Sequence, residues 1–468
     1  MLYALSLGLF LGSCGDSGQG EPTAAADSIV PLELTAVDYE PPTLERVKNM
    51  TIYEVNVRQY SEKGDFASFI EHIPRLKMMG VDILWIMPIH PIGVKNRKGG
   101  MGSYYAVQDY KAVNPEFGTL DDLKALVNKA HELGMYVILD WVANHTAWDG
   151  PWIENHPEWF TQDAQGNVVV PEGTDWTDVA DLNYDVPEMR AAMIDALTYW
   201  VKEADIDGYR CDVAGMVPTD FWVEARKALD EVKPVFMLAE WGTPEVHAAF
   251  DMSYGWDFHH ILNEVAQAKK GPKDIQLYFA TNEAAFVDSV KDLPYGDFRM
   301  QFTSNHDENS WNGTEFERMG DAYPAMAVLT YTLPGMPLIY SGQEAGLDKR
   351  LSFFEKDTID FSTTLYADFY TKLNTLKENN PAIWSGSFGG SLEFLKTDKD
   401  AQILAFVREK DGNQVLVIMN LSKQSAAFSI DSPAIEGEWE DVFFTEGDVF
   451  AKKQEFNLDP WKYMVYRR

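Results

Sequence analysis

Cysteine is nearly missing from this 468-residue chain, which has two, Cys14 and Cys211. A chain of this length buries a core large enough to stand without cross-links, so no disulfide framework is indicated. Positive charge is scarce too: 39 Lys and Arg face 73 Asp and Glu, for a formal net charge of −34. Nucleic acid and anionic lipid both require a basic surface, which excludes them as partners. The apolar run that opens the chain, "LYALSLGLFLGSC", is too short for a membrane-spanning helix. No G-x-G-x-x-G follows a strand-like segment and no G-x-x-x-x-G-K-[ST] occurs, so nucleotide-binding folds lose their usual support. Hydrophobic residues, at 46%, are as frequent as in ordinary globular proteins. The acidic, self-repelling surface fits a neutral substrate, and equally an adaptation to a salty habitat.

Apolar strand-like runs alternate with helical periodicity through most of the chain. Eight such runs read as strands: residues 52–60, 82–91, 135–145, 206–214, 234–241, 250–258, 298–307 and 336–344. Near-continuous apolar strands separated by helices predict a parallel sheet buried on both faces. Eight units predict an α/β fold, a (β/α)8 TIM barrel, over residues 45–384. Residues 146–186, rich in Trp, Pro, Asp and Gly, form a long third βα loop, a small domain of its own, and loops of this length are usually functional. From residue 385 the pattern changes to period two, with "KDGN" as a hairpin turn. Residues 385–468 therefore read as a C-terminal antiparallel β-sandwich.

Residues 1–14 read as a signal peptide, and "LGSC" resembles the lipobox of bacterial lipoproteins, which implies lipidation at Cys14. Residues 15–44 read as a flexible tether beginning "GDSGQGEPTAAADS". The "GDSG" there has no strand before it and is not taken as a nucleophile motif. The expected location is an exported bacterial lipoprotein, membrane-anchored on the periplasmic or cell-surface face, touching the membrane only through its lipid.

In a barrel of this kind functional side chains stand at the C-terminal ends of the strands. The third strand ends in Asp140, with Asn144 and His145 just beyond. The fourth ends in Arg210 and Asp212, the fifth in Glu240, the seventh in His306 and Asp307. Four carboxylates from four strands would meet at one rim. Like charges so close raise one another's pKa, and two carboxyls with separated pKa values suit glycoside hydrolysis. Side chains two apart on a strand share a face, so Arg210 would lie beside Asp212 and keep it charged. Glu240 ends an apolar strand, where desolvation would raise its pKa as a general acid requires.

The segments "DWVANH", "GYRCDVAG", "MLAEW" and "FTSNHD" resemble the four signature regions of the α-amylase family, glycoside hydrolase family 13, in the family's order. "SYYAVQDYKAVNPEFGT", "DLNYDVPEM" and "LIYSGQEAG" resemble further family stretches, so that the resemblance covers roughly residues 45–380. It implies Asp212 as nucleophile, Glu240 as acid/base and Asp307 as the third carboxylate, which binds sugar hydroxyls. It implies substrate contacts from His145, His306, Arg210 and Tyr105, the last as an aromatic platform, with Asp140 bracing the site. The implied activity is a retaining hydrolase of α-1,4-glucosidic bonds in starch-type glucans or malto-oligosaccharides, with no organic cofactor. The alternatives are an exo-acting α-glucosidase or transglycosylase of the same family and, in another class, a non-catalytic glycan-binding lipoprotein. The stretch "DVAGMVP" lacks the Lys-His with which the family's second region often ends. Asn144 and Asp181 match family calcium ligands, so they are candidates to hold a structural Ca²⁺ or, alternatively, to hydrogen-bond the long loop to the barrel. Trp148, Trp152, Trp159 and Trp176 of the long loop are candidates for stacking on sugars or for a core of the loop itself. Cys211 is expected to point into the barrel wall.

Overall fold

All eight strand-like runs contain a strand, and the strands close on one another. In a computed structural model of the chain they are Ile52–Val55, Ile83–Ile86, Tyr136–Trp141, Gly208–Cys211, Phe236–Ala239, Met252–Tyr254, Phe298–Gln301 and Met336–Tyr340. Each pairs in parallel with its neighbours, and the first pairs with the eighth, which makes a closed barrel. The structure describes residues 37–444 and 447–468. Cys14, the signal peptide and most of the expected tether lie outside these residues. The tether's last part is not loose: Tyr39 stacks on His131 and donates its hydroxyl to Asp207 at the barrel's base. No helix among the described residues is long and apolar enough to cross a membrane.

The strands are shorter than their apolar runs because those runs continue into the loops that carry the site. In the first run the strand stops at Val55 and a helical turn, Val57–Tyr60, follows. Period two sends Ile52, Ile83, Ile138, Leu238, Met252, Phe298, Met300 and Leu338 into the barrel, where they form one buried cluster. Fully burying such a side chain contributes about 1.5–3 kcal/mol. The same parity aims Glu54, Asp140 and Arg210 inward, one layer nearer the mouth. Register sets Asp140 beside Arg210 on the neighbouring strand.

The connection after the third strand holds a two-stranded ribbon, His145–Ala147 with Val179–Asp181. The helix Pro187–Ala204 then leads to the fourth strand. After the helix Ala367–Asn379 the chain turns antiparallel. A six-stranded sheet and a two-stranded sheet, Ala426–Asp431 with Lys453–Leu458, enclose a second core around Ile418, Phe428, Trp439 and Phe456. The predicted "KDGN" hairpin joins Ile403–Lys410 to Asn413–Asn420, with positive φ at both Asp411 and Gly412 as its two-residue turn requires. A buried arginine ties these layers to the barrel, and a buried lysine pins the helix before them. Lys377 donates to the carbonyls of Gly335 and Ile383, and Arg408 donates to Thr332, Gly390 and Ser391.

Candidate active site

The fourth strand begins at Gly208 because the fifth strand's backbone leaves no room for a side chain. A Cβ there would lie 1.9 Å from the Phe236 carbonyl oxygen. That close approach sets Arg210 at the centre of the barrel mouth, fully buried. Its Nη1 donates to Asp140 Oδ1 at 2.8 Å and to Asp212 Oδ1 at 3.2 Å. Its Nη2 lies 2.8 Å from Glu240 Oε2, an ion-pair contact off the hydrogen-bonding direction. One guanidinium therefore touches three carboxylates from three strands, which brings Asp212 and Glu240 within reach of one sugar ring.

The chain turns sharply after Asp212. Val213 adopts the left-handed conformation, φ 38° and ψ 46°, a strained state for a β-branched residue that costs about 1–3 kcal/mol. The turn aims the Val213 N–H at Glu240 Oε2, 2.9 Å away. Burial raises the pKa of both acids; Glu240 pushes Asp212 up further, and Arg210 opposes the shift at each. Two carboxyls that repel each other hold one proton between them over a wide pH range.

A cavity of about 520 Å³ opens above this pair. Of the residues named from sequence, Tyr105, His145, Asp212, Glu240, His306 and Asp307 line it. Asp140 and Arg210 stand behind its wall: Asp140 is fully buried, its Oδ2 accepting from Trp85 Nε1 and Tyr105 Oη, both at 3.1 Å. The two histidines differ. Burial lowers His145 to about 4 and leaves it neutral. Burial acts the same way on His306, but Asp307 and Glu54 together outweigh it and raise His306 to about 9. Cys211 is buried in the barrel wall as expected.

Sequence reading missed part of the lining. Trp311, Phe353 and Phe354 form an aromatic wall on loops after the seventh and eighth strands, with Phe353 stacked on Tyr105. Opposite, Lys98 pairs with Asp178 at 3.2 Å and ties the second loop to the third. Of the four loop tryptophans only Trp176 lines the cavity, tilted against His145. Trp152 packs on Tyr110 and Trp159 as the core of the loop, and Trp148 donates to the Thr177 carbonyl. "FF" and a lone Trp beyond a strand end carried no motif; only the Trp-rich composition of the third loop drew attention.

The side chains of Asn144 and Asp181 do not by themselves make a calcium shell. A shell needs six to eight oxygens. Among the described residues no group of three or more His, Cys, Asp or Glu is placed to hold a metal ion. The backbone oxygens that would complete a shell have protein partners. Tyr110 Oη donates to the carbonyls of Val142 and His145, Tyr184 Oη to that of Ala143, and Leu182 N to that of Asn144. The Asn144 amide Nδ2 lies 3.2 Å from His145 Nδ1.

The comparisons with known proteins agree with this geometry. The family described as alpha amylase, catalytic domain, matches residues 53–390, and the one described as maltogenic amylase, C-terminal domain, matches residues 392–465. The fold superposes on a noncanonic maltogenic α-amylase from Thermotoga neapolitana with a TM-score of 0.79 and 30% identity, covering 90% of this chain and 99% of that one. An α-amylase from Lactobacillus plantarum gives 0.76 and 32%, with the same coverage. Among curated proteins, Alpha-amylase 3 of Dictyoglomus thermophilum is 24% identical over 90% of this chain and 93% of its own length. A cyclomaltodextrinase from a Bacillus species is 26% identical over 77% of this chain and 66% of its own length. The barrel, its mouth and its C-terminal sheets thus place the chain in the α-amylase family of glycoside hydrolases.

Proposed function

We propose that the protein hydrolyses α-1,4-glucosidic bonds in starch-type glucans or malto-oligosaccharides with retention of configuration. The observation that carries this is Arg210 in contact with both Asp212 and Glu240 at the floor of a cavity that Asp307 also lines. Asp212, in the ionised form that the Arg210 hydrogen bond favours against burial and Glu240, attacks the anomeric carbon. The glycosidic C–O bond breaks, and the leaving oxygen takes the proton of Glu240. A water then gives a proton back to Glu240 as its oxygen attacks the same carbon and releases Asp212. Asp307 and the charged His306 stand where sugar hydroxyls would bind, with Tyr105 as the platform. The relatives' names, which include α-amylase, cyclomaltodextrinase and α-1,4-glucan:maltose-1-phosphate maltosyltransferase, support an α-1,4-glucan substrate. Calcium takes no part in the steps of this reading.

Two inversions at one carbon return the starting stereochemistry. Proton NMR of maltotriose or amylose digests should therefore show the α-anomer first; initial β-anomer would reject the assignment. Product lengths from amylose, pullulan and maltotriose separate endo from exo action and hydrolysis from glycosyl transfer.

We further propose an exported protein tethered through lipidated Cys14. The apolar run closed by "LGSC" and the polar stretch after it support this. Cys14→Ser should move the full-length protein from the membrane to the soluble fraction of expressing bacteria; unchanged fractionation would reject the tether.

A further inference from the structure

One acid inside the barrel has no part in the chemistry above. Glu54 sits in the first strand, fully buried. Its Oε1 lies 2.5 Å from Nδ1 of His306, and its Oε2 has no hydrogen-bond partner. A buried carboxylate satisfied at one oxygen is costly, and a neutral side chain of the same shape would fill the space without that penalty. We propose that Glu54 is a positioning residue that keeps His306 doubly protonated and fixes the direction of the hydrogen bonds at the barrel mouth.

With both ring nitrogens protonated, His306 donates from Nδ1 to Glu54 and from Nε2 to Tyr105 Oη, 2.7 Å away. Tyr105 must then pass its own proton to Asp140 Oδ2. A neutral imidazole would present one nitrogen as an acceptor, and this chain could reverse. The Tyr105 ring also stacks on His306, so the platform and the imidazole are held as one unit. The charged groups that face His306 are Glu54 on the first strand, Asp307 on its own loop at 3.4 Å, Arg210 on the fourth strand and Glu240 after the fifth, across the cavity. The Trp85 ring closes the remaining side without charge. Arg210 and burial oppose the imidazolium, and Asp307 reaches it from the partly open cavity. Glu54 alone supplies a counter-charge from within the barrel.

The test is Glu54→Gln, which keeps the shape and removes the charge. His306 is followed by NMR of histidine-labelled protein, with its signal assigned from His306→Asn, and kcat/KM on maltotriose is measured against pH. In the parent protein His306 should stay charged to about pH 9. In Glu54→Gln its titration should fall by about 1–3 units. The alkaline limb of kcat/KM should follow it only if His306 comes to lose its proton before Glu240, whose proton the reaction also needs. Superimposable His306 titrations would overturn the proposal. So would a neutral His306 in the parent, with the proton on Glu54. If the variant fails to fold, the parent titration decides alone. The kinetic half rests on the proposed hydrolase reading. If the parent cleaves no α-glucan, that reading falls while the His306 titration still tests Glu54.

Discussion

Asp212 and Glu240 are the same chemical group in nearly the same place, and their work differs only because their surroundings do. Both are pushed up from ordinary values of 3.8 and 4.5, burial being the largest cause. A raised pKa means that the charged form is lost at higher pH than usual. The acid limb of kcat, set by protonation of Asp212, should therefore lie above the ordinary carboxylate range. Glu240→Gln should lower kcat on maltotriose by about 10²–10⁴-fold, because it removes the proton donor and keeps the shape. A loss under tenfold would move the acid role elsewhere. These two residues, with Asp307, could be found from sequence because each stands beside a strand end in a recurring motif. Glu54 could not. It is a charge inside an apolar run, "IYEV", and its meaning depends on a histidine 252 residues away.

The strands and loops show where local pattern suffices and where it fails. Alternation of apolar runs located all eight barrel strands, because a strand buried on both faces has to be apolar along its length. Their ends were read too long, since buried loops at the mouth are as apolar as the strands beneath them. The third loop shows the opposite difficulty. Four tryptophans of one composition divide into one cavity residue, Trp176, and others that hold the loop together, and only packing decides which. Asn144 and Asp181 matched a calcium pattern, yet Tyr110 and Tyr184 hold the carbonyls between the third strand and the ribbon. The melting temperature should accordingly be the same in EDTA as in calcium. A drop in EDTA would show that a metal does hold this loop.

Over the whole molecule the net charge of −34 acts as a diffuse repulsion. Raising salt from about 0.01 to 1 M shortens the Debye length from about 30 to 3 Å and screens that repulsion. Scanning calorimetry should show the melting temperature rising over this range; a fall would mean that surface ion pairs outweigh the repulsion. The barrel and the C-terminal sheets share one buried arginine, Arg408, that bonds only to backbone carbonyls, and its position carries no sequence signal. Periodicity and strand-end residues by themselves determined the eight-unit barrel, the change to antiparallel sheet near residue 385, and the residue types at the mouth. Each of these is a local property, set by which faces of a strand or helix must be buried. The tertiary structure alone decided that Arg210 contacts three carboxylates, that neighbouring acids push the pKa of His306 up while burial pushes that of His145 down, and that Trp311 and Phe353 wall the cavity. Those facts arise only when the first strand closes on the eighth, because charge and solvent exclusion depend on distance in space and not on distance along the chain.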